Sequence, residues 1–144
     1  MIITSVQNQA VKDIIALRES KERRQKGLTV IDGLRETQRA IQAGAMIERI
    51  YCCPGLLPAG IDLAKAFGKP LSAIEVNDNV FSKIAYGERV DGIVAIVKVP
   101  QRKLSDLKLS ANPFIAVIES IEKPGNLGAI IRTCDGAGVD ALLI

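Results

Sequence analysis

Histidine and tryptophan are both missing from this 144-residue chain, and aromatic residues make up only 3% of it. The lack of histidine excludes every catalytic scheme in which a histidine activates a serine or a cysteine. The three cysteines form no CxxC pair, so a zinc site lacks its usual ligands and spacing, and we predict no metal. Cys52 and Cys53 are adjacent, which is poor geometry for a disulfide, and reduced thiols are typical of the cytoplasm.

Long apolar segments are missing as well. No run of eighteen apolar residues occurs, and the amino terminus has neither the basic start nor the long apolar centre of a signal peptide. The composition, 48% apolar and 24% charged, is that of a soluble globular protein. We therefore expect a cytoplasmic protein with no membrane partner.

The basic residues are unevenly placed. The net charge is +3, and residues 1–26 carry the whole excess, with six basic residues against three acidic ones. Clustered lysine and arginine indicate a surface that binds phosphate. The alternative is a solvated helix face with internal pairs such as Arg18 with Glu22. Because the chain has only three phenylalanines and two tyrosines, we do not expect extensive base stacking.

Short apolar strands alternate with helices over the first hundred residues. A helix capped by Ser5 or Asn8 is predicted to run to Gly27. Strands are predicted at residues 28–32, 47–51, 71–76 and 92–99, with helices from Gly33 to Gly44, at 61–67, and from a cap at Asn77 to Gly87. This alternation predicts one complete α/β sandwich domain over residues 1–100, with a largely buried sheet.

The remaining residues predict the start of a second domain. Residues 101–112 are polar and flanked by prolines, which indicates a linker. A strand at 114–119, a helix from about Leu127 to Ala137 and a strand-like run at 139–144 then form one βαβ unit. An α/β domain needs about 100 residues or more, so we expect the domain at 113–144 to be incomplete.

The loop before this helix, KPGNLG at residues 123–128, is a natural anion or nucleotide site, because unpaired backbone amides and the helix dipole meet there. The dinucleotide fingerprint GxGxxG is not matched, since Gly125 and Gly128 have the wrong spacing. A Walker loop is excluded too, because no GK[ST] follows. Nicotinamide and ATP sites are therefore disfavoured.

A more specific geometry is predicted around Arg132. Asn126 can cap the helix, and Gly128 precedes Arg132 by four residues, so both lie on one helical face with room beneath the guanidinium. Ile130 and Ile131 are expected to pack inward. The alternative is that Asn126 is only a cap, Gly128 a packing contact and Arg132 a solvated charge.

The segment NLGAIIRT at residues 126–133, preceded by KPG and followed by CDGAGVDALLI, resembles the first motif of the SpoU class of SPOUT RNA methyltransferases. The class pattern NxGxxxR is met by Asn126, Gly128 and Arg132. Residues 1–100 independently resemble the substrate-binding domain that precedes the catalytic domain in many members. The matching features are Ser5 and Asn8 in the SxxN start, LRESKERR, VIDGLRE and VDGIVAIV.

The resemblance implies methylation of a ribose 2'-hydroxyl in ribosomal or transfer RNA, with S-adenosylmethionine as methyl donor. It implies that Arg132 activates the hydroxyl and that Asn126 helps to shape the site. It also implies a ribosomal-protein-like fold for the first domain, an α/β-knot fold for the second, and a parent homodimer made through the knotted domain. The implied RNA contacts are Asn8, Lys12, Arg18, Lys21, Arg23, Arg24 and Arg35.

The sequence departs from the family pattern in three respects. Asp32 stands where the family often has glutamate, and Lys123 stands where many members have aspartate. The later motifs that hold S-adenosylmethionine are absent, so we expect no cofactor binding by these 144 residues. The alternative function is a non-catalytic RNA-binding module of the ribosomal or kink-turn-binding type, whose carboxyl-terminal segment only packs or pairs.

Overall fold

A computed structural model describes residues 2–68, 72–86, 91–101, 103–121 and 123–144. The chain divides into two compact units, Met1–Pro100 and Gln101–Ile144. Residues 101–112, predicted to be a linker, group with the second unit and include a 3-10 turn at Leu104–Asp106. Leu71, Gly87 and Val90, which belong to predicted elements or motifs, lie outside the described residues.

Helices and strands alternate along the first unit. Its strands are β1 (Ile2–Ile3), β2 (Leu28–Asp32), β3 (Ile47–Cys52), β4 (Ala73–Val76) and β5 (Ile93–Lys98). Its helices are α1 (Gln9–Ala16), α2 (Ser20–Lys26), α3 (Leu34–Gln42), α4 (Leu63–Phe67) and α5 (Asp78–Ile84), with a 3-10 turn at Pro54–Leu56. The predicted strands are confirmed to within about two residues at each end, which is the usual uncertainty of such boundaries.

The five strands form one mixed sheet in the order β1-β4-β3-β5-β2. β1, β4 and β3 are parallel, whereas β5 pairs antiparallel with both β3 and β2. β5 is the last strand of the unit in sequence, yet it lies between the second and third. The sheet is complete only when residues 93–98 have entered it.

Side chains of β5 alternate between two hydrophobic cores. Val94 and Ile96 face a core built with α1 and α5, which contains Val11, Ile14, Tyr51, Val80, Phe81 and Ile84. Ile93, Ala95 and Val97 face a second core with α3 and α4, which contains Ile50, Cys52 and Phe67. Burying one aliphatic side chain contributes about 1.5–3 kcal/mol, so burial on both faces makes β5 the apolar centre of the unit.

The first predicted helix is in fact two helices. Asn8 caps α1 by accepting a hydrogen bond from the Ala10 amide at 2.9 Å, but α1 ends at Ala16. Glu19 is extended, and α2 follows up to Gly27, whose left-handed conformation ends it as predicted. The Arg23 guanidinium donates to the carbonyls of Leu17 at 3.0 Å and Arg18 at 2.5 Å, which satisfies acceptors left free where α1 ends.

Strand β1 was not predicted. It has two residues, and its backbone pairs with Glu75 and Val76 of β4. A two-residue strand carries no alternation of apolar and polar residues, so tertiary pairing alone defines it.

The second unit is a βαβ arrangement, as predicted. β6 (Ile115–Val117) and β7 (Ala141–Leu143) are parallel, and α6 (Pro124–Gly136) connects them. The prediction that Asn126 caps this helix is wrong. Lys123 is the N-cap residue, and Asn126 is already the third helical residue, because Pro124 is well suited to the first position of a helix.

Across the described ranges, no helix combines the length and apolarity needed to cross a lipid bilayer.

Gly92 is a position at which a side chain cannot fit. A Cβ there would lie 2.8 Å from the carbonyl oxygen of Cys53 and 3.0 Å from backbone atoms of Leu56 and Leu57, and its φ is +74°. Its carbonyl accepts the Cys53 amide at 2.9 Å, which ties the start of β5 to the turn after β3.

We predict that Gly92→Ala lowers the free energy of unfolding by about 1–3 kcal/mol more than Gly60→Ala does, measured by urea denaturation. Gly60 is a matched control because its φ is +73° with nothing within 4 Å of an added Cβ, so it reports backbone strain alone. That strain costs about 1–2 kcal/mol. Equal losses from the two variants would contradict the close packing at Gly92.

Candidate functional site

Arg132 folds back along α6 towards Gly128. Its Nη1 atom lies 3.5 Å from the position that a Cβ on Gly128 would occupy. A helical side chain leans towards the amino terminus of its helix, so a residue four positions earlier lies beneath it. Arg132 is exposed, and no hydrogen bond or ion pair joins it to the described residues. The guanidinium is therefore free to meet a ligand.

Asn126 lies at a separate cavity of about 340 Å³. Its lining consists of Ile118, Glu119, Ser120, Ile121, Lys123, Asn126 and Ile130. Ser120 has a φ of +60°, which is uncommon for a residue other than glycine and often marks a functional loop. Arg132 is not in this lining. It follows Asn126 by six residues, which rotates its side chain by about 240° beyond a full helical turn. Asn126 and Arg132 therefore face different directions.

The two isoleucines before Arg132 do not both pack inward. Ile130 lines the cavity with Asn126, whereas 47% of Ile131 is exposed. The prediction for Ile131 is wrong because successive helical residues point about 100° apart, so Ile131 does not share the direction of Ile130.

The Asp140 side chain links the segments that precede the two strands of this unit. Its Oδ2 atom accepts hydrogen bonds from the Phe114 amide at 2.8 Å and the Ser110 hydroxyl at 3.0 Å, while Oδ1 accepts the Ser110 amide at 3.3 Å. These bonds favour the charged carboxylate and lower the pKa of Asp140, with the Phe114 amide as the largest cause. The bonds therefore form above this pKa and weaken as the pH falls through it.

We predict that the Phe114 amide proton follows the titration of Asp140 in an NMR pH series, with a midpoint below the ordinary value of 3.8. Asp140→Asn should remove this transition and leave the amide shift flat, since the new side chain does not ionise. A midpoint at or above the ordinary value in the wild-type chain would contradict the proposed contact.

Four of the predicted RNA contacts in the first unit already have protein partners. The Asn8 side chain caps α1, and Arg35 pairs with Glu36 at 2.8 Å. The Arg23 guanidinium is bound to carbonyls at the end of α1. Arg18 donates to the carbonyls of Lys83 at 2.6 Å and Ala85 at 3.0 Å, rather than pairing with Glu22. Asn8, Arg18 and Arg23 bond to backbone groups, so their replacement would test folding as well as binding, whereas the exposed Arg35 pairs with its sequence neighbour.

The other three predicted contacts are Lys12 on α1 and Lys21 and Arg24 on α2. All three are exposed, and none is joined by a hydrogen bond or ion pair to any residue described in the structure. Lys21 and Arg24 are three residues apart and thus share one face of α2. The structure leaves these three cations available for phosphate groups.

A groove of about 540 Å³ beside α1 and α2 was not predicted from the sequence. Its lining consists of Ile14, Leu17, Arg18, Arg23, Thr29, Val30, Asp32, Ile84 and Tyr86. The exposed Tyr86 stands at its edge, and the Asp32 carboxylate accepts the Tyr86 amide. A signal for this groove was present in the sequence. Tyr86 is an aromatic residue that follows the apolar positions of α5, where it has no core position to fill.

Asp32 is electrostatically unusual. Burial raises its pKa, and the nearby carboxylates of Asp91 and Glu36 raise it further, while the Tyr86 amide and Arg18 act in the opposite direction. Asp91 accepts the Leu34 amide at 2.8 Å, at the start of α3. The carboxylates thus hold the ends of β2 and α5 and the beginning of α3 together.

Two of the three cysteines lie in the interior of the first unit. Cys52 and Cys53 are buried, and burial together with the Asp78 carboxylate raises the pKa of Cys53 to about 11, which keeps it a thiol. Within the described residues, no three cysteine or carboxylate side chains are grouped to hold a metal ion.

The first unit matches a known protein family. Residues 8–95 match the family model described as the MRM3-like substrate binding domain. This match covers most of the chain, and the chain belongs to that family.

The similarity extends across both units. The chain is 28% identical over 147 residues to the 23S rRNA (guanosine(2553)-2'-O)-methyltransferase RlmP of Bacillus subtilis, which covers 99% of this chain and 53% of that protein. A crystal structure of an RNA 2'-O ribose methyltransferase is 34% identical with a TM-score of 0.79, covering 99% of this chain and 54% of the other. The AdoMet-bound rRNA methyltransferase from Sinorhizobium meliloti is 28% identical with a TM-score of 0.79, covering 99% and 53%. The chain therefore spans about half the length of these proteins.

Proposed function

We propose that this chain is the RNA-recognising part, and the beginning of the catalytic part, of a 2'-O-ribose methyltransferase that modifies ribosomal or transfer RNA with S-adenosylmethionine as methyl donor. The observation that carries the proposal is the similarity to rRNA methyltransferases over 99% of the chain, through both units. The arrangement of Gly128 and Arg132 supports it independently, because it presents an unpaired guanidinium.

The proposed role of Arg132 is to stabilise the ribose alkoxide. A ribose hydroxyl is a very weak acid, and a cation beside it favours the deprotonated oxygen that attacks the methyl group. Guanidinium keeps its proton at any ordinary pH, so Arg132 acts through its charge and hydrogen bonds and not as a proton acceptor. Asn126 would shape the site from the neighbouring cavity together with Lys123.

Arg132→Ala in the full-length protein should abolish methylation, measured by transfer of a labelled methyl group to RNA, because the developing alkoxide loses its cation. RNA affinity should stay within about twofold. Asp135→Ala is the matched control, as it is an exposed charge on the same helix. Methylation by the Arg132→Ala protein at the control rate would remove Arg132 from this role.

The first unit is proposed to hold the RNA through the exposed cations Lys12, Lys21 and Arg24. Each cation that neutralises a phosphate releases a counterion and steepens the dependence of affinity on salt. The hydrogen-bonded arginines Arg18 and Arg23 contribute to the shape of this surface.

Replacing Lys21 and Arg24 together by alanine should weaken binding of a ribosomal RNA hairpin and reduce the slope of log K against log salt by about 1–2. Fluorescence anisotropy at several salt concentrations measures both quantities. The matched control is Lys65→Ala, an exposed lysine on α4, across the sheet from α1 and α5. If Lys65→Ala reduced the salt slope as much as the double variant does, the RNA-binding surface would not lie at Lys21 and Arg24.

The methyl donor is proposed to bind to the parent protein and not to these residues alone. In the described part of the chain, the buried side-chain atoms that lack a partner belong to Asp32, Tyr51 and Asp91, all in the first unit. The second unit offers an open cavity with two charged residues, Glu119 and Lys123, and no such atom.

Three finer assignments complete the proposal. The first unit is assigned the α/β sandwich of ribosomal and kink-turn-binding proteins, supported by its sheet between two helical layers. The second is assigned to the start of an α/β-knot domain, through which the cytoplasmic parent would dimerise. A purely RNA-binding module is disfavoured, because the similarity to methyltransferases continues through the second unit.

A further inference from the structure

Tyr86 is an exposed aromatic side chain in a unit that otherwise buries its aromatic residues. Tyr51, Phe67 and Phe81 lie in the two cores, each less than 5% exposed, whereas Tyr86 is 75% exposed. An aromatic ring held in water forgoes the large gain from burial. A ring of this kind at the edge of a groove indicates a surface that becomes covered when a ligand binds.

The position of Tyr86 is fixed from two directions. Its amide donates to the Asp32 carboxylate at the end of β2. The Arg18 guanidinium lies 5.9 Å from the centre of the ring, within the range of a cation–π contact. Arg18 is itself held by the carbonyls of Lys83 and Ala85. A ring that already contacts Arg18, on a backbone held by Asp32, loses less conformational entropy when a ligand stacks on it.

The groove beside the ring is large enough for a nucleotide. Its volume of about 540 Å³ lies within the range of about 300–1,000 Å³ that is usual for small-ligand sites. Ile14, Leu17 and Ile84 are buried residues that close the groove with an apolar floor, and Thr29 supplies a hydroxyl that can pair with a base. This mixture of an apolar wall and a few polar groups suits a flat heteroaromatic ligand.

We propose that this groove receives one unpaired nucleobase of the RNA substrate, stacked on the Tyr86 ring. The proposal deepens the RNA-binding role proposed above for the first unit and rests on it. Proteins recognise single-stranded RNA by stacking splayed bases on aromatic rings and arginine planes. The occupant is assigned to RNA because Arg23 lines the groove and the same helix carries the free cations Lys21 and Arg24, which complement phosphates on either side of a base.

The chain contains no tryptophan, so Tyr86→Trp provides a single tryptophan, whose emission can be excited selectively, at the proposed stacking position. A hairpin with an unpaired loop should quench its emission on binding, while a fully paired, blunt-ended duplex of similar length should not. Tryptophan stacks on bases at least as well as tyrosine, so this variant should keep its affinity. Binding of the looped RNA without quenching would overturn the proposal.

Tyr86→Ala should weaken binding of the looped hairpin on the order of tenfold, and Tyr86→Phe should bind as the wild type does, because the ring and not the hydroxyl is used. The alanine variant keeps the amide that donates to Asp32, and its circular dichroism should be unchanged. Affinity equal to the wild type in a folded Tyr86→Ala protein would exclude stacking.

The outcomes separate this proposal from the function it rests on. If Tyr86→Ala binds normally while the Lys21 and Arg24 double variant shows the reduced salt slope, the first unit binds RNA and only the stacking site is wrong. If no RNA binds at all, both proposals are wrong.

Titration with adenosine, guanosine and uridine monophosphates provides a further test. Tight binding of a monomer that is lost with Tyr86→Ala would assign the groove to a small molecule, and the RNA assignment would be wrong.

Discussion

The structure of the first unit depends on the burial of strand β5. Its backbone is paired on both sides, antiparallel to β2 and to β3, and its side chains enter two cores. A strand in this position must be apolar on both faces, and IVAIVK meets that requirement in all but its last residue. Gly92 immediately precedes this strand, at a point where the backbone of the turn after β3 leaves no space for a side chain. Strands β2 and β3 are placed by pairing with β5, and helices pack against the two cores that its faces enter.

The proposed RNA surface follows from the same arrangement. The sheet brings the end of α1 against the end of α5, so Arg18 reaches carbonyls more than sixty residues away in sequence. This contact closes one side of the groove and positions Tyr86 at its edge. The arginines that complete the fold are therefore different from the cations that remain free for phosphate. A basic segment that looks uniform in sequence is divided by tertiary structure into residues that bind protein and residues available to RNA.

The sequence predicted most elements because each carried a local signal. Apolar runs located the strands, Asn8 and Asn77 capped their helices, and Gly27 ended α2 in the left-handed conformation that glycine tolerates. The errors arose where a distant contact decided the outcome. The break between α1 and α2 is satisfied by a side chain, Arg23, that propensity does not describe. The two-residue strand β1 exists only through its pairing with β4.

The candidate catalytic residues show the same division. Spacing alone placed Gly128 beneath Arg132, because residues four apart on a helix are always neighbours. Spacing could not place Asn126, whose cavity is formed by the loop after β6 and depends on where the helix begins. The sequence by itself determined the periodic elements, the family motif and the available charges, since these depend on neighbouring residues. Only the tertiary structure decided which arginines are hydrogen-bonded to the protein and that Tyr86 borders a groove. Both depend on contacts between residues that are distant in sequence and that the sheet brings together.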